Sequence, residues 1–193
     1  MTTDETRLLR FLQQRCFRRG EFRLASGAVS DYYIDGRMAE VFSESAHLIG
    51  EVLYERTKDL GLDALGGLAV GAVPLTTAAV INYHLHGRAM EGFWVRDRAK
   101  DHGTRKLVEG NVKPGARVAI VEDVVTTGGS ALKAIEEVRQ FGCEVAVVVC
   151  LVDRLRGAEK AFKEAGAAAY QAVFTIRDFG VEVDAPGPSQ SGR

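Results

Sequence analysis

Two adjacent carboxylates, Glu122 and Asp123, stand at the end of an apolar run over residues 118–121. Val124, Val125, Thr126, Thr127, Gly128, Gly129 and Ser130 follow directly. Ionised carboxylates are acceptors and suit the vicinal hydroxyls of a ribose. A hydroxyl- and glycine-rich loop that opens onto a helix presents backbone N–H groups to a phosphate, and the helix dipole favours the negative charge. The segment therefore asks for a ligand carrying a diol and a monophosphate about one nucleotide unit apart. It is not a Walker loop, because no Lys-Ser/Thr pair follows the glycines. Nor does it carry the Gly-x-Gly-x-x-Gly dinucleotide fingerprint.

A second stretch is cationic. Residues 96–106 hold five Arg or Lys side chains against two Asp, together with His102, in a chain whose net charge is −1. Arg forks and Lys point charges suit a polyanion such as diphosphate. A polar connection as long as residues 96–113 inside a compact domain is usually functional or disordered. Residues 66–72, Gly-Gly-Leu-Ala-Val-Gly-Ala, combine small side chains in a way that permits close backbone approach to a ligand. Arg154 follows Val152-Asp153 at a predicted strand end. On its own it reads as a surface salt-bridge residue, just as Tyr32 and Tyr33 read as ordinary strand aromatics.

The segment 118–130 resembles the signature of type I phosphoribosyltransferases, which bind 5-phosphoribosyl 1-diphosphate. Ala99-Lys100-Asp101-His102-Gly103, followed by Leu107-Val108-Glu109-Gly110, resembles the mobile catalytic loop of orotate phosphoribosyltransferases. Ser26-Gly27 with Ser30-Asp31-Tyr32-Tyr33-Ile34-Asp35 resembles the segment that lies over the pyrimidine in those enzymes. The resemblance implies transfer of phosphoribosyl to orotate, giving orotidine 5′-monophosphate and diphosphate in UMP synthesis. It gives Glu122 and Asp123 the ribose hydroxyls, and residues from Val124 to Ser130 the 5′-phosphate. Arg96, Lys100, His102, Gly71 and Ala72 fall on the diphosphate. Lys100, Asp101 and His102 are the implied catalytic residues, and Thr126, Arg154 and Tyr33 the implied orotate contacts, with Arg154 on the carboxylate.

The family also implies Mg²⁺ held mainly through the substrate, a homodimer whose catalytic loops cross between subunits, and often a non-proline cis peptide near residue 70. The chain departs from many members where it has Ala25, Gly71 and Asp97 in place of lysines, while Arg98 and Arg105 are additional charges. Two other readings of the same pocket are a different base as acceptor and a non-catalytic sensor of the sugar diphosphate.

These groups need elements to position them. Thr2 and Glu5 have capping-box spacing, and Leu8, Leu9, Leu12, Cys16 and Phe17 recur at helical intervals, predicting a helix near residues 4–18 that Gly20 stops. Residues 22–34 read as a hairpin or hood. Strands are expected at 65–70, 93–95, 117–122, 145–152 and 172–176. Helices are expected at 44–58, from the Pro74 turn to about residue 85, and at 130–141 and 157–165. This alternation predicts an α/β fold, a mainly parallel central sheet flanked by helices, with a small N-terminal hood.

At 193 residues the chain fits one domain, with hood elements over about 1–40, a core over 41–184 and a disordered tail at 185–193. The near-zero net charge gives no global drive toward nucleic acid or membrane, and no apolar run reaches transmembrane length. The three cysteines, Cys16, Cys143 and Cys150, lie in apolar surroundings without metal-ligand spacing. Cytoplasmic location is the resulting expectation.

Overall fold

The computed structural model describes residues 1–23, 29–98 and 107–183. The chain begins with α1 (Thr3–Phe11), whose capping box forms: Glu5 N donates to Thr2 Oγ1 at 3.1 Å and Thr2 N donates to Glu5 Oε2 at 2.8 Å. The helical run continues as a π-helical turn, Leu12–Cys16, and stops short of the expected residue 18 because Phe17 is already extended. Gly20, with φ +148°, lies inside the following strand instead of terminating the helix.

That strand, β1 (Phe17–Arg23), pairs antiparallel with β2 (Val29–Ile34) to form a separate two-stranded hood sheet. A short helix, α2 (Arg37–Glu40), leads from the hood into α3 (Ser43–Thr57). The core then alternates β3 (Ala64–Leu68), α4 (Ala72–Leu85), β4 (Glu91–Val95), β5 (Val108–Gly110), β6 (Arg117–Val125), α5 (Gly129–Gln140), β7 (Glu144–Asp153), α6 (Ala158–Glu164) and β8 (Tyr170–Thr175).

The six core strands lie in the order β5-β4-β3-β6-β7-β8. All neighbouring pairs are parallel except β4 and β5. The antiparallel edge strand β5 was not expected from the sequence. It returns from the polar connection and pairs Val108 with Val95. Its three residues are too few to register as an apolar alternation.

Period-2 alternation distributes the side chains of β6 and β7 between the faces of the sheet. Ala119 and Val121 of β6, with Val147, Val149 and Leu151 of β7, pack with Leu48, Leu53, Leu75 and Tyr83 of α3 and α4. Val118, Ile120, Val148 and Cys150 pack with Ile135, Val138 and Phe162 of α5 and α6 on the other face. Both faces are covered, which is why these strands read as continuous apolar runs. The expected tail at 185–193 lies outside the described residues.

Candidate active site at the carboxyl edge of the sheet

Parallel strands bring their carboxyl ends to one edge, and open α/β sheets bind ligands there. Four predicted groups gather at this edge through topology alone. The Gly71-Ala72 turn follows β3, Arg96 follows β4, the glycine-rich loop follows β6 and Arg154 follows β7.

Strand β6 runs past the two carboxylates to Val125, farther than the expected end at residue 122, so Glu122 and Asp123 leave the strand on opposite sides. Glu122 lines a pocket of about 300 Å³ with Val124, Val125, Thr126, Thr127, Gly128, Gly129 and Ser130. A Cβ built on Gly71 would lie 4.0 Å from Glu122 Oε1, so the β3–α4 turn borders the same pocket. Within that turn the Ala69–Val70 peptide is cis.

Asp123 faces the hood side. A Cβ on Gly36 would come within 2.6 Å of Asp123 Oδ2, so the hood-to-core connection closes directly over this carboxylate. Burial raises the Glu122 pKa, with the charges of Asp123 and Glu40 adding to it. Burial also raises that of Asp123, against backbone N–H donors that pull it down. Glu122 Oε2 is buried without a hydrogen-bond partner.

The glycine-rich loop owes its shape to Gly128. Its φ of +85° is left-handed, and a Cβ there would lie 2.4 Å from Phe162 Cε1. Only glycine meets both demands. From this residue α5 begins, and its first-turn N–H groups have no partner within the helix, leaving them available to an anion.

Arg154 is bound into the site from both sides. Its backbone N–H donates to Val125 O at 2.8 Å, which ties it to the strand that leads into the glycine-rich loop. Its Nε donates to Tyr32 Oη at 2.9 Å and its Nη2 to Ser30 Oγ at 3.3 Å, which ties it to β2. The guanidinium carbon sits 4.6 Å from the Tyr32 ring centroid, within cation–π range. Asp153 Oδ1 accepts from Leu155 N at 2.7 Å, and Leu155 takes φ +56°, a conformation uncommon for a non-glycine residue that turns the chain sharply after Arg154.

The structure brings Tyr32, not Tyr33, to Arg154. Successive residues of β2 face opposite ways, and Tyr33 instead packs against Phe22, ring centroids 5.6 Å apart. Tyr32 is 3% exposed and Tyr33 37%. The signal was present in the sequence: Tyr32 and Ile34 share the apolar phase of the strand and Tyr33 does not.

Arg96 is half-buried at the end of β4. Its Nε is buried without a hydrogen-bond partner, and its Nη1 lies 3.8 Å from Glu109 Oε1. Asp97 accepts from Lys133 Nζ of α5 at 2.7 Å. That pairing was not foreseen, and neither was Glu40, which is 7% exposed and lies behind Asp123. Lys100, Asp101 and His102 lie outside the described residues.

A larger cavity of about 690 Å³ lies at the opposite edge of the sheet, lined by residues including Asp63, Glu91 and Lys113. Its carboxylates are engaged structurally: Asp63 Oδ2 accepts from Arg117 N and Glu91 Oε2 accepts from Asn111 Nδ2. It is remote from the converging groups.

Residues 41–176 match the phosphoribosyl transferase domain family. The chain is 42% identical over 182 residues to the orotate phosphoribosyltransferase of Bradyrhizobium sp. (strain ORS 278), covering 92% of this chain and 98% of that protein. It is likewise 42% identical over 185 residues to the orotate phosphoribosyltransferase of Rhodopirellula baltica, covering 93% and 95%. Among solved structures, the orotate phosphoribosyltransferase of Mycobacterium tuberculosis H37Rv in complex with Fe(III) dicitrate superposes with a TM-score of 0.81 at 38% identity, covering 92% of this chain and 99% of that one. The same enzyme in complex with 5-phospho-α-D-ribosyl 1-diphosphate gives a TM-score of 0.77 at 36% identity, with the same coverage.

Proposed function

The chain belongs to the orotate phosphoribosyltransferases of the phosphoribosyltransferase family, and we infer from this membership how its own residues carry out the reaction. It transfers the phosphoribosyl group of 5-phosphoribosyl 1-diphosphate to orotate, forming orotidine 5′-monophosphate and diphosphate in pyrimidine biosynthesis. The observation that carries the substrate assignment is Arg154. Its half-buried guanidinium, braced by Ser30 and Tyr32 and joined by its backbone to Val125, supports a reading in which a carboxylate receptor neighbours the phosphate-binding loop. Orotate has the carboxylate that uracil and the purines lack.

In the proposed mechanism a ring nitrogen of orotate attacks the anomeric carbon as diphosphate departs. Positive charge builds on the ribose and negative charge on the leaving group, so catalysis is mainly positioning and electrostatic stabilisation. Glu122 and Asp123 accept from the ribose hydroxyls. The loop from Thr126 to Ser130 holds the 5′-phosphate and fixes the distance to the reacting carbon. Arg96 and the Gly71-Ala72 turn receive the diphosphate, and the buried, unpartnered Nε of Arg96 is a donor suited to it. Lys100 stabilises the departing group, while Asp101 and His102 complete the closed site and exclude water.

Mg²⁺ fits this site as an ion carried by the substrate. Among the described residues no group of three or more His, Cys, Asp or Glu side chains could hold a metal ion. The substrate's diphosphate and hydroxyl oxygens supply the hard donors that Mg²⁺ requires. When bound it neutralises charge on the leaving group.

The proposal extends to a cytoplasmic homodimer in which the loop of one subunit serves the partner's site. Among the described residues no helix is long and apolar enough to cross a membrane. The test is the loss of orotate absorbance on adding 5-phosphoribosyl 1-diphosphate and Mg²⁺. Turnover that collapses in both Lys100→Ala and Arg154→Ala supports the reading. Turnover with another base but not with orotate would overturn it.

A further inference from the structure

Glu40 ends α2, the short helix that starts from the Gly36 contact with Asp123, and its charge is felt by both Asp123 and Glu122; the mechanism above does not use it. It is 7% exposed, and its Oε1 is buried with no hydrogen-bond partner. Few native side chains combine deep burial, an ionisable group and an unsatisfied oxygen, because an unpaired buried charge is costly.

The groups that face it explain why no ordinary ion pair forms. From β6 come Asp123 and Glu122, from the hood connection Asp35, and from the π-helical turn the Cys16 thiol. Among the described residues the opposing cation is Arg37, and both its Nε and Nη2 are committed to Asp35, at 2.7 and 2.8 Å. Burial, then Asp123, then Asp35 push the Glu40 pKa up to about 8, so it carries a proton at neutral pH.

We propose that Glu40 is a positioning residue for the sugar diphosphate, a buried carboxyl whose charge state sets how strongly Asp123 and Glu122 hold the ribose. Uncharged, it leaves the pair free to accept from the diol. Charged, it adds a third negative group behind them and opposes a ligand that already carries phosphate and diphosphate. Gly36 makes the coupling short: the connection that bears Asp35 and Arg37 rests on Asp123 itself. This inference rests on the ribose site proposed above.

The test is equilibrium binding of 5-phosphoribosyl 1-diphosphate with Mg²⁺ and no orotate, measured by calorimetry at pH ~7 and pH ~9.5 for wild type, Glu40→Gln and Glu40→Met. Titrations independent of Glu40 occur in all three proteins and cancel in the comparison, whereas any change that Glu40 makes in the Glu122 titration belongs to the coupling under test. Wild type is expected to bind ~5- to 10-fold more weakly at the higher pH than at the lower, an effect expected for one added charge in a partly buried site. Both variants should bind like wild type at pH ~7 and lose most of that difference at pH ~9.5.

An equal pH ratio in wild type and Glu40→Gln would overturn the inference while leaving the ribose site standing. So would a ~10-fold loss of affinity in Glu40→Gln at pH ~7, since that would mean the ionised form is the one needed. No binding by any of the three proteins would overturn the ribose site and this inference together.

Discussion

Arg154 donates from Nε to the hydroxyl of Tyr32 at 2.9 Å while its guanidinium lies over the same ring. One side chain thus fixes both the direction and the plane of the proposed carboxylate receptor. Tyr32→Phe keeps the ring and removes the hydrogen bond. A hydrogen bond to a charged group contributes about 1.5 kcal/mol, so the KM for orotate should rise ~10-fold. The KM for the sugar diphosphate should stay unchanged, and steady-state kinetics with each substrate varied in turn separates the two. Arg154→Lys should lose more than Tyr32→Phe, because an ammonium cannot offer the planar fork.

Gly128→Ala challenges the phosphate cradle. The new methyl would meet Phe162 at 2.4 Å from a backbone held at φ +85°. Overpacking and a left-handed alanine together should cost roughly 2–4 kcal/mol, read as a lower unfolding midpoint in denaturant. The affinity for ribose 5-phosphate should fall in the protein that remains folded. Gly129→Ala, where a Cβ meets nothing within 4 Å, is the matched control and should leave stability nearly unchanged.

The Asp97–Lys133 pair joins the start of the polar connection after β4 to the helix that follows the glycine-rich loop. Both side chains are substantially exposed, at 64% and 36%, so salt will screen the pair. Asp97→Asn should leave the melting temperature unchanged and lower kcat/KM severalfold at low ionic strength. That difference should vanish near ~1 M salt, where the Debye length is about 3 Å. A deficit that persists at high salt would show that the pair does not act through charge.

Stability of the ligand-free protein should fall as pH rises from about 5 to beyond 8. Glu40, Glu122 and Asp123 all have folded-state pKa values above the ordinary carboxylate range. The unfolded chain releases these protons near pH 4 to 4.5, whereas the folded chain keeps them until its raised pKa values are reached. The folded state therefore binds more protons across that window, and stability declines with pH until they are lost. Glu40→Gln should flatten the decline and melt at least ~2–4 °C above wild type at pH ~9, corresponding to about 1 kcal/mol in a chain of this size. Thermal unfolding followed between pH ~5 and ~9 checks both sign and window.

The proposed sharing of active sites between subunits makes a complementation prediction. A Lys100→Ala chain mixed with an Asp123→Asn chain should recover activity above either parent, because one of the two sites in each heterodimer would be intact. Absence of rescue after verified subunit exchange would assign each loop to its own subunit.

The sequence by itself determined the alternation of the main strands and helices of the core and pointed to the chemistry proposed for the main site. Apolar runs alternating with amphipathic helices specify a parallel sheet covered on both faces. The run from Glu122 to Ser130 carries carboxylates and phosphate cradle within one continuous segment, so its meaning survives without tertiary information. The left-handed turn at Gly128 is legible in the same way, because few other residues adopt it.

What the tertiary structure decided concerns partners distant in the chain. Arg154 meets Tyr32 across 122 positions, and Lys133 meets Asp97 across 36. The phase of β2 chose Tyr32 over Tyr33, and the two-residue repeat of a strand makes that choice absolute once the hood packs. Nothing in the sequence singled out Glu40. Only the fold set it behind Asp123, with its natural counter-ion already taken by Asp35, because burial and charge environment belong to the packed chain and not to any local run of residues.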